Sequence, residues 1–148
     1  MATPKGQIAT WRIYPESRNG AFYTVRVFRT LGAMRRYATR IGHDSFARCA
    51  GAAICYRREL YTRGRFTCVS HEWGEILLAV RRLTTRIIAH ECSHAVVAWM
   101  QRQGFTLDLS DTGNASPGEE RFAYAQGDLV SQLVAGCYHH QLLTPGTQ

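Results

Sequence analysis

The segment from Thr84 to Gly104, TTRIIAHECSHAVVAWMQRQG, constrains this chain more than any other stretch. It reads as a helix of about five turns, with Thr84 or Thr85 as the cap and Gly104 as the stop. Ile87, Ile88, Val96 and Val97 are the residues expected to seat that helix in a core.

The same helix carries His90-Glu91-Cys92-Ser93-His94, an HExxH pattern. Residues four apart stack one turn above each other, so both imidazoles can reach one tetrahedral Zn²⁺ while Glu91 flanks a metal-bound water as a base. With 6 His and 7 Glu in 148 positions, the pattern arises by chance in roughly 1% of such chains. Its context agrees, because the motif lies in a predicted helix directly after a predicted strand, Glu75 to Val80.

A catalytic zinc usually keeps three protein ligands and one open position. The next helix is announced by Ser116-Pro117-Gly118-Glu119, a serine cap with proline at the first helical position and glutamate at the third, and is expected to run to about Cys137. Glu119 has the local task of closing the capping box. Glu120 projects about 100° further round the helix, on a face shared with Ala123, Tyr124 and Gly127, and is the expected third ligand, with Glu119 as the fallback.

HECSH, followed after 25 intervening residues by Glu120-Arg121-Phe122-Ala123-Tyr124, resembles the gluzincin branch of the zincin metallopeptidases. Its E-x-x-A after a polar loop is similar to the ImmA/IrrE-type and small phage-encoded HExxH proteins. The resemblance spans about residues 75–135. It implies an α+β, zincin-like fold in which a small antiparallel or mixed sheet packs on the HExxH helix and a following ligand-bearing helix. It also implies zinc on His90, His94 and Glu120, Glu91 as general base, hydrolysis of peptide bonds, and an edge strand at Glu75 to Val80 that aligns an extended substrate. Thermolysin-like enzymes carry an aspartate four residues after the ligand glutamate. Here Tyr124 stands in that place and Asp128 comes one turn later. Tyr124, Tyr138, His139 and His140 are candidates to stabilise an oxyanion.

The remaining chain reads as strands and one short helix. Residues 8–14 and 21–29 form a hairpin around Asn19-Gly20, and Leu31, Met34, Tyr37, Ala38 and Ile41 recur at helical spacing after Thr30, with Gly42 as the stop. Two or three short strands are expected between 50 and 80, with AAICYR, FTCVS and EILLAV as the clearest pieces and Gly64 and HEWGE as turns. His71-Glu72 is read as loop, His43-Asp44 as a turn, and Cys137 with His139 and His140 as a frayed helix end in preference to a minor metal site. No repeat or low-complexity linker divides residues 1–148, so one domain is expected.

The formal charge is +7, carried by 17 arginines and one lysine against 11 acids. It is unevenly placed: residues 1–86 hold a net +11 and residues 87–148 a net −4. Arginine favours bidentate contacts with phosphate or carboxylate, so nucleic acid and an acidic protein are the partners such a basic part would take, while the scattering of the arginines in runs of at most two equally describes a solvated face. A non-catalytic binding protein on the same scaffold, such as a phage-type inhibitor or regulator, is the alternative to a peptidase. The longest apolar runs fall short of the ~20 residues of a membrane helix. The first 17 residues lack the apolar core of a signal peptide, and five cysteines without a CxxC pair fit reduced thiols. A cytoplasmic location is expected.

Overall fold

In the computed structural model, residues 2–16, 20–41, 46, 48–55, 59–62, 65–68, 71–105, 107 and 113–143 are described. The expected hairpin is present as β1 (Gln7–Ile13) and β2 (Phe22–Phe28), which pair antiparallel with Trp11 opposite Val25. Helix α1 (Leu31–Ile41) follows, its first turn capped where Thr30 Oγ1 accepts from the Ala33 N–H at 3.1 Å. Four strands then take the place of the expected two or three: β3 (Gly51–Cys55), β4 (Glu59–Thr62), β5 (Arg65–Cys68) and β6 (Glu72–Ala79). Strands β4 and β5 form a separate antiparallel pair. A 3₁₀ turn (Val80–Arg82) leads into α2 (Thr85–Arg102), and α3 (Pro117–His139) completes the order. Asn19, His43, Asp44 and Gly64 lie outside the described residues.

The main sheet has the order β1-β2-β6-β3 and is mixed. β2 and β6 run parallel, with Val25 beside Ile76, whereas β3 lies antiparallel to β6, with Ala53 beside Ile76. The described residues are thus α+β, with a small mixed sheet and three α-helices. Two expectations change. HEWGE is not a turn, because Glu72 to Glu75 form the first half of β6. Nor is β6 an edge: it has a partner on each side, and its residues from Gly74 to Ala79 are all buried. That near-continuous burial is what a strand covered on both faces requires. β3 is the outer strand on that side.

Each face of the sheet carries an apolar cluster packed under helices. On one, Tyr23, Val25, Val27, Ile76 and Leu78 pack against Ile88, Cys92, Val96 and Trp99 of α2 and Leu129 and Leu133 of α3. On the other, Phe28, Leu77, Ala79, Ala52 and Ile54 pack against Ala33, Met34 and Ala38 of α1. Of the four residues expected to seat α2, Ile88 and Val96 are fully buried and Ile87 is half-buried, while Val97 is 40% exposed. Tyr23 ties the sheet to α2 directly, its hydroxyl donating to the Ala95 carbonyl at 2.8 Å. α3 approaches β1 through Gly136, where a Cβ would stand 2.3 Å from the Trp11 indole.

Candidate metal centre

Helix α2 starts where Thr84 Oγ1 accepts from the Ile87 N–H at 3.2 Å, which settles the choice of cap left open by the sequence. With the start fixed, His90 and His94 fall on the exposed side of the helix, one turn apart. Their Nε2 atoms are 3.2 Å apart, and the rings meet edge-on with centroids 4.7 Å apart. Two imidazole nitrogens at about 2.0–2.1 Å from a tetrahedral Zn²⁺ are separated by about 3.3–3.4 Å. The pair therefore has the spacing of one edge of a zinc tetrahedron, and its donor chemistry fits that ion.

Glu91 points elsewhere. One position on from His90 turns the side chain about 100° round the helix, toward β3, where it is only 6% exposed. The Ala53 N–H donates to its carboxylate. Gly51 makes this approach feasible, since a Cβ there would lie 3.0 Å from Glu91 Oε1 and 3.0 Å from Ile87 Cγ2. Burial pushes the Glu91 carboxyl above the usual carboxylate range, opposed by the neighbouring His90 and His94 and by the Ala53 hydrogen bond. A carboxyl that is oriented, desolvated and beside two imidazoles has the features of a proton-transfer group.

On α3 the capping box forms as expected: Ser116 Oγ accepts from the Glu119 N–H at 3.1 Å, and Glu119 Oε2 accepts from the Ser116 N–H at 3.0 Å. Glu120 is exposed in the same first turn, on a side that includes the exposed Ala123, Tyr124 and Gly127. The side of α3 that meets α2 carries Gln126, whose amide donates to the Ala89 carbonyl at 3.1 Å and to Ser93 Oγ at 2.9 Å. The structure thus brings His90 and His94 together with Glu91 on the adjoining face. Among the described residues, no third His, Cys, Asp or Glu joins the two histidines in a group that could hold a metal ion.

The other sequence candidates separate from this centre. His140 stacks on Trp11 of β1 at 5.1 Å and His139 stands edge-on to His140, so both are engaged at the carboxyl end of α3. Cys137 is fully buried in the core, and burial pushes its thiol up to about 11, which disfavours the thiolate a metal requires. Tyr124 and Tyr138 are exposed. His71 lies at an exposed bend before β6.

Sequence reasoning missed a second polar cluster, on the α1 side of the sheet. Glu75, 1% exposed, accepts from Arg26 Nε and, at 2.8 Å, from the Tyr37 hydroxyl, while Arg26 Nη1 donates to Gln7 Oε1 at 2.9 Å. These groups floor a cavity of about 380 Å³. Burial, reinforced by the bond to Glu75, pushes the Tyr37 hydroxyl up to about 12, keeping it a donor. The signal was the pair of charges inside otherwise apolar strands, Arg26 in FYTVRVF and Glu75 in EWGEILLA.

Comparison with protein-family models, with curated proteins and with solved structures gives no match. Any functional assignment consequently rests on the residues themselves.

Proposed function

We propose that the protein is a zinc-dependent metallopeptidase with a zincin-like arrangement, in which His90 and His94 hold the metal, Glu120 of the following helix is the third ligand the motif calls for although it stands apart from the pair in the structure, and Glu91 is the general base. The observation that carries this reading is the 3.2 Å separation of the two exposed Nε2 atoms, with a buried, hydrogen-bonded glutamate between them in sequence. A zinc ion on these residues would supply Lewis acidity toward a scissile carbonyl and a water molecule. Glu91 would take a proton from the attacking water and hand it to the leaving amine. Its burial favours the protonated form that follows transfer, and the Ala53 N–H fixes the orientation of the carboxylate. The outer strand β3, in place of the interior β6, is the strand along which an extended peptide aligns. Free thiols at Cys49, Cys55, Cys92 and Cys137 fit action in a reducing compartment such as the cytoplasm.

The direct test is zinc stoichiometry by elemental mass spectrometry on protein purified without a metal-affinity tag. About one zinc per chain is expected in the wild type, with loss in His90→Ala, His94→Ala and Glu120→Ala. Absence of zinc from the wild type after reconstitution would sink the reading. Zinc retained by Glu120→Ala alone would move the third ligand to another residue and leave the histidine pair in place.

A further inference from the structure

β2 and β6 run parallel and finish side by side, with Phe28 opposite Ala79. Both therefore discharge into helices at the same end of the sheet, β2 into α1 and β6 through the 3₁₀ turn into α2. Six cations gather there, all of them exposed: Lys5, Arg29, Arg36, Arg81, Arg82 and Arg86. Several contacts bring them to one edge. The Arg29 N–H donates to the Gly6 carbonyl at 2.9 Å, which places Lys5 beside the start of α1. Arg36 folds back along its helix, its Nη1 coming within 3.4 Å of where a Gly32 Cβ would stand. α1 also packs against the turn that bears Arg81 and Arg82, and Arg86 lies in the first turn of α2.

Among the described residues no acid interrupts this edge. The first turns of α1, of the 3₁₀ turn and of α2 contain none. Glu91, the first acid along α2, is buried. Among the residues whose burial is described the exposed acids are Glu16, Glu120 and Asp128, of which the last two lie on α3 and the first pairs with Arg121 of α3. The start of α1 and the start of α2 both face this end, and the partial positive charge of a helix start has the same sign as the arginines.

We propose that this edge binds the phosphodiester backbone of a nucleic acid. The number of cations and the lack of an intervening acid among the described residues fit a polyanion with charges repeated along its length better than a single carboxylate or a small anion. Five of the six are arginines, whose forked guanidinium matches a phosphate in two-point contact. Contacts of this kind go to backbone charge and carry no base information, so the recognition proposed is sequence-independent. The inference does not rest on the zinc reading, because none of the six residues belongs to the proposed metal or proton-transfer groups.

The experiment is fluorescence anisotropy of the full chain with a labelled duplex DNA of about 20 base pairs, at salt concentrations between 50 and 200 mM. With each neutralised phosphate contributing about 0.9 to the slope of log K against log salt, four to six contacts give a slope of about −4 to −5. The double variant Arg36→Gln/Arg82→Gln is expected to flatten that slope by about 2 and to weaken binding at least about tenfold at the lower salt. Arg12→Gln, toward the other end of β1, should leave binding unchanged. If the double variant melts at a lower temperature than the wild type, Lys5→Gln/Arg86→Gln serves the same purpose. Lack of salt-dependent binding by the wild type, or unchanged binding in a folded double variant, would overturn the proposal. Equal capture of polyglutamate would also overturn it and make an acidic protein the partner. Zinc content, measured on the same samples, reports separately on the metal centre.

Discussion

Glu91→Gln is expected to slow hydrolysis of a quenched-fluorescence peptide library by about 10²- to 10⁴-fold, the usual worth of a positioned general base, with zinc content unchanged. The variant isolates chemistry from structure. Glutamine has the volume of glutamate, and its amide oxygen can still accept from the Ala53 N–H that now meets the carboxylate. The contact with β3 and the fit against Gly51 are therefore kept. What is lost is the proton-accepting oxygen. Glu91→Ala would be a poorer test, since it leaves a cavity at a 6% exposed position and orphans a backbone donor. Hydrolysis by Glu91→Gln at the wild-type rate, with zinc bound, would remove Glu91 from the mechanism. Loss of hydrolysis together with loss of zinc would assign it a structural part instead.

The second large effect is on stability. At Gly74, in the first half of the interior strand β6, a Cβ would lie 2.2 Å from the Ile54 carbonyl oxygen and 3.0 Å from Cys55 Cα. Both are backbone atoms, so no side-chain rotation relieves the clash, and β3 has to move off β6 to admit even a methyl group. Gly74→Ala is expected to cost about 3 kcal/mol or more, lowering the melting temperature by roughly 6–12 °C for a chain of this size. Because Gly51 and Ala53 belong to the displaced strand, the Glu91 carboxylate should lose its backbone partner in the same variant. Gly127→Ala is the control: nothing lies within 4 Å of its Cβ position, and an exposed helical glycine should gain roughly 0.5–1 kcal/mol on becoming alanine. A thermal melt of both variants decides the matter, and a Gly74→Ala protein as stable as the wild type would refute the close packing of β3 on β6.

The two glycines also illustrate what was legible in the sequence. Features fixed by neighbours along the chain were readable. Ser116, Pro117 and Glu119 announce α3 because a capping box is a contact over three residues, and HECSH places two imidazoles together because a helix turn is local. Features fixed by distant residues were not. Trp73-Gly74 suggested a turn because glycine usually marks one, whereas Gly74 is there to admit the carbonyl of Ile54 from another strand. The interior position of β6 depends on β2 and β3 lying on either side of it, which no window of the sequence contains. The docking of Glu91 on Ala53 is likewise non-local. For α3, the helical wheel put Glu120 on one face with Ala123, Tyr124 and Gly127 as the side to approach a metal, and these residues are exposed together while Gln126 meets α2. The stripe Phe122, Ala125, Leu129 and Leu133 was equally available and marks the side that packs into the core.

The parallel pairing of β2 with β6 has a consequence for how the chain is made. Val25 and Ile76 are neighbours in the sheet but 51 positions apart in sequence. At about 5–20 residues per second on a ribosome, roughly 3–10 s pass between the emergence of one and the other. Throughout that interval the β1–β2 hairpin can form, but the far edge of β2 has no strand beside it, and the face carrying Tyr23, Val25 and Val27 has no helix over it. An open edge beside an uncovered apolar face is a template for pairing with another chain. The nascent protein is thus most prone to aggregate before residue 79 is made, and a fragment ending short of β6 keeps that edge open permanently.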